Sequence, residues 1–224
     1  DIANFHEYIV EKYALSSTNK WISFGGSYPG MLAGLARLRF PHQFHASVSS
    51  SSPLQAAVEM YQYNDVVASS MAAVDVGGSP ECLAAISSGH AVIGDMLKTS
   101  EGRRSLESTF NICGTNTLDN PLNQEQFAGD GVVYLPVQSN DPSCTTPYCD
   151  IASVCVLMTN TSIGDPLTRL ATLAAAQHGG PCTPISYEAM IKAMSNPKNL
   201  MRSWLYQTCT EWGFYQTCAI GSNC

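Results

Sequence analysis

The 224-residue sequence predicts an α/β chain, with part of a parallel sheet followed by a mainly helical region. Three observations predict it. Residues 1 to about 55 alternate between helical and strand patterns, the order that builds βαβ units. From about Leu54 to Leu200 strand signals nearly vanish while helix-start signals recur. Within the first of these regions, "KWISFGGSYPGMLAGLARLRFPH" at residues 20–42 drives a strand into a glycine-rich turn and then into an apolar helix.

Taken in order, "DIANFHEYIVEKY" repeats Ile2, Phe5, Ile9 and Tyr13 at helical spacing. Neither an initiator methionine nor a signal-peptide pattern stands before it, so a piece of a longer chain is expected. "WISF" reads as a short buried strand, Pro29 to Phe40 as a helix, and "HASVSSS" as a second strand. Met31, Leu35 and Leu38 form the apolar stripe of that helix. Ala33, Gly34 and Ala36 are small enough to let it lie close on the sheet, and Arg37 and Arg39 face water.

Further on, Ser79-Pro80-Glu81 places a capping serine before a proline at the first helical position. Asp165-Pro166 does the same before "LTRLATLAAAQ", and Gly179 after His178 is a stop signal. An irregular loop from Val137 to Asp150 is held by Cys144 and Cys149. "WLYQTCTEWGFYQTC", rich in aromatics and cysteine, breaks from the helical pattern before it. The expected organisation is residues 1–54 as the sheet part, 55–200 as a helical insert, and 201–224 as a return to the first domain.

With 45% hydrophobic and 13% charged residues the chain is globular rather than disordered. Its formal net charge is −7 and it has no run of Lys or Arg, which argues against nucleic acid or anionic lipid as partners. No apolar stretch approaches the roughly 18 residues of a membrane span. Nine cysteines suggest an oxidising compartment. They do not suggest zinc, since no C-x-x-C pair occurs, and neither another metal nor a cofactor is called for. The triplet Asn160-Thr161-Ser162 is a glycosylation sequon and agrees with secretion. Nine is odd, which leaves one thiol either free or paired outside this sequence.

Ser27 is the candidate nucleophile. A nucleophile elbow needs a strand, a sharp turn with the serine at its apex, and a helix running away from it. The neighbours must be small because backbone segments approach closely, and Gly25 and Gly26 meet that need. The common G-x-S-x-G pattern would put glycine at position 29, whereas this chain has Pro29 followed by Gly30. Proline is tolerated there because the first helical turn has no internal acceptors for its N–H groups. The backbone N–H of Tyr28, the candidate oxyanion donor, is untouched. The competing reading is a plain serine in a glycine-rich turn.

The stretch "WISFGGSYPGMLAGLARLRFPHQFHASVSSSSPLQA" resembles the proline-directed serine exopeptidases, the family of prolylcarboxypeptidase, dipeptidyl peptidase 2 and thymus-specific serine protease. "GGSYPG" is most similar to the thymus-specific branch. "QTCTEWGFYQTC", about 180 residues later, resembles a second segment of the same family. The resemblance implies an α/β-hydrolase with a helical cap domain inserted after the strand that follows the nucleophile helix. It implies a lysosomal, endosomal or secreted peptidase that works from one end of a peptide, with proline near the cleaved bond. Whether that end is amino or carboxyl stays open, as does a homodimer. Interleaved bridges, Cys82 with Cys155 and Cys113 with Cys182, are implied in the same way.

The resemblance carries the nucleophile onto Ser27 and the oxyanion contact onto the Tyr28 N–H. It suggests Met31 at the edge of the pocket for the residue on the acyl side of the cut. Trp212 and Phe214 are candidate apolar walls for a proline ring, with core packing the alternative for all three. Glu211 is either a structural hydrogen-bonding group or an anchor for a peptide terminus. The acid and the histidine of such enzymes follow the serine in chain order, and they are expected beyond residue 224. His42 and His45 follow a helix of about 12 residues leading away from Ser27, roughly 18 Å from it. His6, His90 and His178 read as structural or solvated. Two competing functions share parts of this pattern: an esterase or lipase with the same elbow, and a noncatalytic binding protein that has kept the fold.

Overall fold

A computed structural model describes residues 1–129 and 132–217. It is a mixed helix–strand structure with a small parallel sheet, and it divides into two compact units, residues 1–58 and 59–224. Cys218, which closes the second family-like segment, and Cys224 lie outside the described residues, as does the rest of the 201–224 segment after Thr217.

The first unit holds helix α1 (Ile2–Lys12), strand β1 (Ile22–Gly26), helix α2 (Ser27–Arg39) and strand β2 (Ala46–Ser50). β1 and β2 pair in parallel, with Ile22 opposite Ala46 and Gly26 opposite Ser50. Parallel strands need a crossover, and α2 supplies it. The strand extends past "WISF" through both glycines, so the helix starts at Ser27 itself rather than at Pro29. His6 on α1 packs its ring against Trp21 at 4.5 Å and against the buried Phe44 at 5.6 Å.

The face that α2 turns to the sheet differs from the expected stripe. Its buried residues are Gly30, Ala33 and Ala36, whereas Leu35 is 40% and Leu38 71% exposed. Small residues win this face because they let the helix backbone approach the strands. The Ser23 hydroxyl, for example, donates to the Ala33 carbonyl at 3.2 Å. Arg37 does not simply face water, since its Nε donates to the His45 carbonyl at 3.0 Å. Strand alternation sends Ile22, Phe24 and Val48 to the face away from α2, where all three are exposed, Phe24 by 73%.

The second unit is helical: α3 (Gln62–Ala72), α4 (Pro80–Leu97), α5 (Ser100–Thr109), α6 (Pro121–Ala128), α7 (Ile151–Thr159), α8 (Pro166–His178), α9 (Tyr187–Met194) and α10 (Leu200–Gln207). Side-chain caps specify the starts. Ser79 accepts from the Cys82 N–H at 3.1 Å, Asp150 from Ser153 at 2.7 Å and Asp165 from Thr168 at 2.8 Å. Gly179, at φ +60°, closes α8. Ile86, Ile93, Leu106, Val154, Met158 and Leu170 build the core, and Phe110 meets Phe127 edge-on at 5.1 Å. Disulfides join Cys82 to Cys155, Cys113 to Cys182, and Cys144 to Cys149. The first two interleave along the chain.

The segment from Trp204 to Trp212 is helical, contrary to the expected break. Asn199 caps α10 by accepting from the Met201 N–H at 2.9 Å, and the helix passes into a π-helical turn at Thr208–Trp212. The break falls at Gly213 and Phe214, each at φ +71°. Aromatic richness disguised the helix, because these residues are weak but adequate helix formers once a cap starts the turn.

The caps carry a pH dependence. The Thr168 backbone N–H, followed by its side chain, holds the Asp165 carboxyl below its ordinary value, and the Ser153 side chain does the same for Asp150. A depressed carboxyl stabilises the fold above its unfolded value, about 3.9, and loses that contribution as pH falls through the lower folded value. Both caps therefore stay charged in a mildly acidic medium. Asp165→Ala is expected to cost about 1 kcal/mol near neutrality. Denaturant midpoints should show the gap to the parent chain narrowing only below about pH 4.

Candidate active site

Ser27 sits where β1 ends and α2 begins. Gly26 is still extended, at φ −117° and ψ 150°, and Ser27 then takes φ +57° before the helix follows. A non-glycine residue in this left-handed region costs about 1–2 kcal/mol. Such strain tends to gather at functional sites. Among the described residues six other non-glycine residues also have positive φ, so the angle alone is not diagnostic. What distinguishes Ser27 is its position at a strand–helix junction with the side chain exposed.

The turn is tight enough to dictate its neighbours. A Cβ on Gly25 would fall onto the Pro29 carbonyl. A Cβ on Gly30 would strike the Ser52 hydroxyl and come within 2.9 Å of both the Gly25 and Ser50 carbonyls. Glycine is thus required one position later than in the common pattern, at 30 rather than 29. Pro29 fits because it lies in the first helical turn, where no intrahelical bond is lost. This demand at Gly30 was missed from the sequence, although the displaced glycine was its visible signal. Gly30→Ala is expected to cost about 1–3 kcal/mol by overpacking. It should also lower activity more than its stability loss explains, a split that thermal melts and peptide hydrolysis would measure together.

Tyr28 follows Ser27 in the first turn of α2, where N–H groups find no acceptor within the helix. Met31 lies one turn after Ser27, on the same side of α2, and is half-buried. Among the described residues the Ser27 hydroxyl has no hydrogen-bond partner. The first unit's histidines are placed elsewhere: His6 against Trp21 and Phe44, His42 beside the Phe40 ring at 6.5 Å, and His45 just before β2. In the second unit His90 Nδ1 bonds the Ile86 carbonyl at 3.0 Å, and His178 ends α8.

The other candidates belong to the second unit. Trp212 and Phe214 come together as stacked rings, 5.8 Å between centroids and 14° between planes, and both are half-buried. Glu211 is exposed on the π-helical turn. Asn160 is exposed at the end of α7. Cys209 is an exposed thiol whose proximity raises the pKa of the Tyr215 phenol, and the Tyr215 hydroxyl donates to the Thr208 carbonyl at 3.4 Å.

The whole chain, residues 1–224, matches the family described as serine carboxypeptidase S28. The chain belongs to this family. It is 35% identical to the thymus-specific serine protease of Mus musculus over 97% of its own length and 45% of the relative's. The Homo sapiens counterpart is 34% identical with the same coverages. The lysosomal Pro-X carboxypeptidase of Bos taurus is 24% identical, over 99% of this chain and 45% of the relative. The chain therefore spans less than half the length of the curated relatives it matches. Among the described residues no helix is long and apolar enough to cross a membrane.

Proposed function

We propose that the protein is a serine-type exopeptidase in which Ser27 forms the acyl-enzyme. The observation that carries this reading is the exposed Ser27 at φ +57° between β1 and α2, framed by Gly25 and Gly30, which admit no side chain. Its hydroxyl would attack the scissile carbonyl, and the developing oxyanion would be met by the Tyr28 N–H. Met31 would edge the pocket on the acyl side of the cut. Trp212 and Phe214 would offer flat apolar surface to a proline ring, and Glu211 would serve either as an anchor for a peptide terminus or as a structural hydrogen-bonding group. The names of the relatives support a peptide substrate, and the Pro-X carboxypeptidase among them supports proline near the cleaved bond.

On this reading the first unit is part of an α/β-hydrolase sheet and the helical unit is its cap. The exposed face of Ile22, Phe24 and Val48 is then where further layers of the domain pack. The three disulfides among the described residues and a lysosomal relative support a lysosomal, endosomal or secreted location. The base and its orienting carboxylate are assigned to sequence outside the matched portion of the relatives. A serine hydroxyl without an adjacent base is a weak nucleophile. The 224 residues alone are therefore expected to show no Ser27-dependent turnover.

The test treats the full-length protein with a fluorophosphonate and maps the adduct by peptide mass. It then compares a proline-containing peptide with a short acyl ester as substrates. Labelling of Ser27 with preference for the peptide supports the reading. Preference for the ester favours an esterase, and an unlabelled, inactive full-length protein favours a noncatalytic role.

A further inference from the structure

The geometry points to a binding site for a primary ammonium on an apolar stem, the chemistry of a lysine side chain, in a cavity of the helical unit lined by Tyr134, Asp141 and Tyr148. The cavity holds about 570 Å³, within the roughly 300–1,000 Å³ range of small-molecule pockets. Pro147 and the Cys144–Cys149 bridge add to its apolar walls.

Gln177 on α8 fixes both tyrosines by their backbones. Its Oε1 accepts from the Tyr134 N–H at 2.9 Å, while Nε2 donates to the Tyr134 carbonyl at 2.8 Å and to the Tyr148 carbonyl at 3.4 Å. The hydroxyls of Tyr134 and Ser139 share a hydrogen bond of 2.6 Å, which ties down the far end of the Tyr134 ring. Tyr148 is held at φ +53°, a left-handed position that a bulky residue rarely takes. Asn140 anchors the intervening loop, donating to the Val76 carbonyl at 3.1 Å and accepting from the Ile151 N–H at 2.9 Å. The walls are therefore set by the fold before any ligand arrives.

Among the described residues that line the cavity, Asp141 alone carries a charge. Its Oδ1 accepts from the Ser143 N–H at 2.8 Å and from the Ser143 hydroxyl at 2.7 Å, which fills both lone pairs of that oxygen. Oδ2 has no partner among the described residues. The Ser143 side chain, followed by its backbone N–H, holds the Asp141 carboxyl below its ordinary value, so the charge persists in a mildly acidic medium. A single carboxylate beside aromatic walls suits a cation on an apolar stem, because the stem lies along the walls while the rings attract the charge. The one free oxygen selects further. A guanidinium pairs best with two carboxylate oxygens at once, whereas an ammonium needs only one, which favours lysine over arginine. Binding is read without turnover, so the inference stands or falls apart from the role of Ser27.

The full-length protein is titrated with acetyl-lysine methylamide, with its norleucine and arginine counterparts, and with n-butylamine, followed by saturation-transfer NMR and calorimetry. The lysine compound is expected to bind about tenfold tighter than the norleucine one, which lacks only the ammonium. Asp141→Asn keeps an oxygen for Ser143, so it should melt at the parent temperature yet lose that advantage. Tyr134→Leu, whose backbone still meets Gln177, should weaken the lysine compound about threefold and leave the norleucine compound unchanged. Butylamine binding more weakly than the lysine compound assigns the ammonium to a peptide side chain, and equal or tighter binding assigns it to a free amine. No binding of the lysine compound, equal binding of its norleucine counterpart, arginine at or above lysine, or undiminished binding by the Asp141→Asn protein overturns the inference.

Discussion

Ser27→Ala in the full-length protein is expected to reduce peptide turnover on the order of 10⁶-fold, the scale seen when a serine peptidase loses its nucleophile. Folding should be unaffected. Alanine and serine both carry a Cβ, so each meets the same demand at φ +57°, and the side chain is exposed. A stability change within about 0.5 kcal/mol follows. Ser27→Gly gives a second handle on the same residue. The left-handed penalty it removes, about 1–2 kcal/mol, outweighs the added chain entropy of glycine, about 0.4–1 kcal/mol. That variant should be equally inactive yet at least as stable, as expected where a catalytic turn holds strain at the expense of stability. Turnover near that of the parent in either variant, or a fluorophosphonate adduct on another serine, would sink the assignment.

Removal of the Cys82–Cys155 bridge is expected to cost about 4 kcal/mol, from the loop entropy it withholds from the unfolded chain. The two residues are 73 apart in sequence and join α4 to α7. Cys144 and Cys149 are only 5 apart, so opening that bridge should cost less, about 2 kcal/mol. Paired Cys→Ala variants and their urea midpoints would measure the difference. Equal losses would mean that native packing, not loop closure, sets the contribution. Cys82 is fully buried, so the alanine variant also forfeits side-chain contacts there, which adds to the longer bridge's share.

Helix boundaries were legible wherever a cap was spelled out locally. Ser79-Pro80 starts α4, Asp165-Pro166 starts α8, and Gly179 ends it, because each signal satisfies backbone groups within a few residues of itself. The strand–turn–helix at residues 22–39 was legible for the same reason. The packing face of α2 was legible in part. The small residues Ala33, Gly34 and Ala36 marked the close approach to the sheet, and Ala33 and Ala36 are buried there beside Gly30, whereas the apolar stripe marked Leu35 and Leu38, which are exposed, since distance of approach rather than side-chain apolarity chose the contact. The aromatic stretch after Trp204 was misread because its cap, Asn199, lies before the stretch itself.

The sequence by itself determined the family-like serine turn, the βαβ order, the helical character of the middle region and the oxidising chemistry implied by nine cysteines. All of these are written in local residue chemistry or in composition. Tertiary structure alone decided that Ser27 is held at φ +57° and that Gly30, not residue 29, must lack a side chain. The carbonyls that forbid a Cβ at Gly30 belong to Gly25 and Ser50, and Ser50 lies 20 positions further along the chain. It reaches the turn only because β2 pairs with β1, a contact that local spacing does not encode.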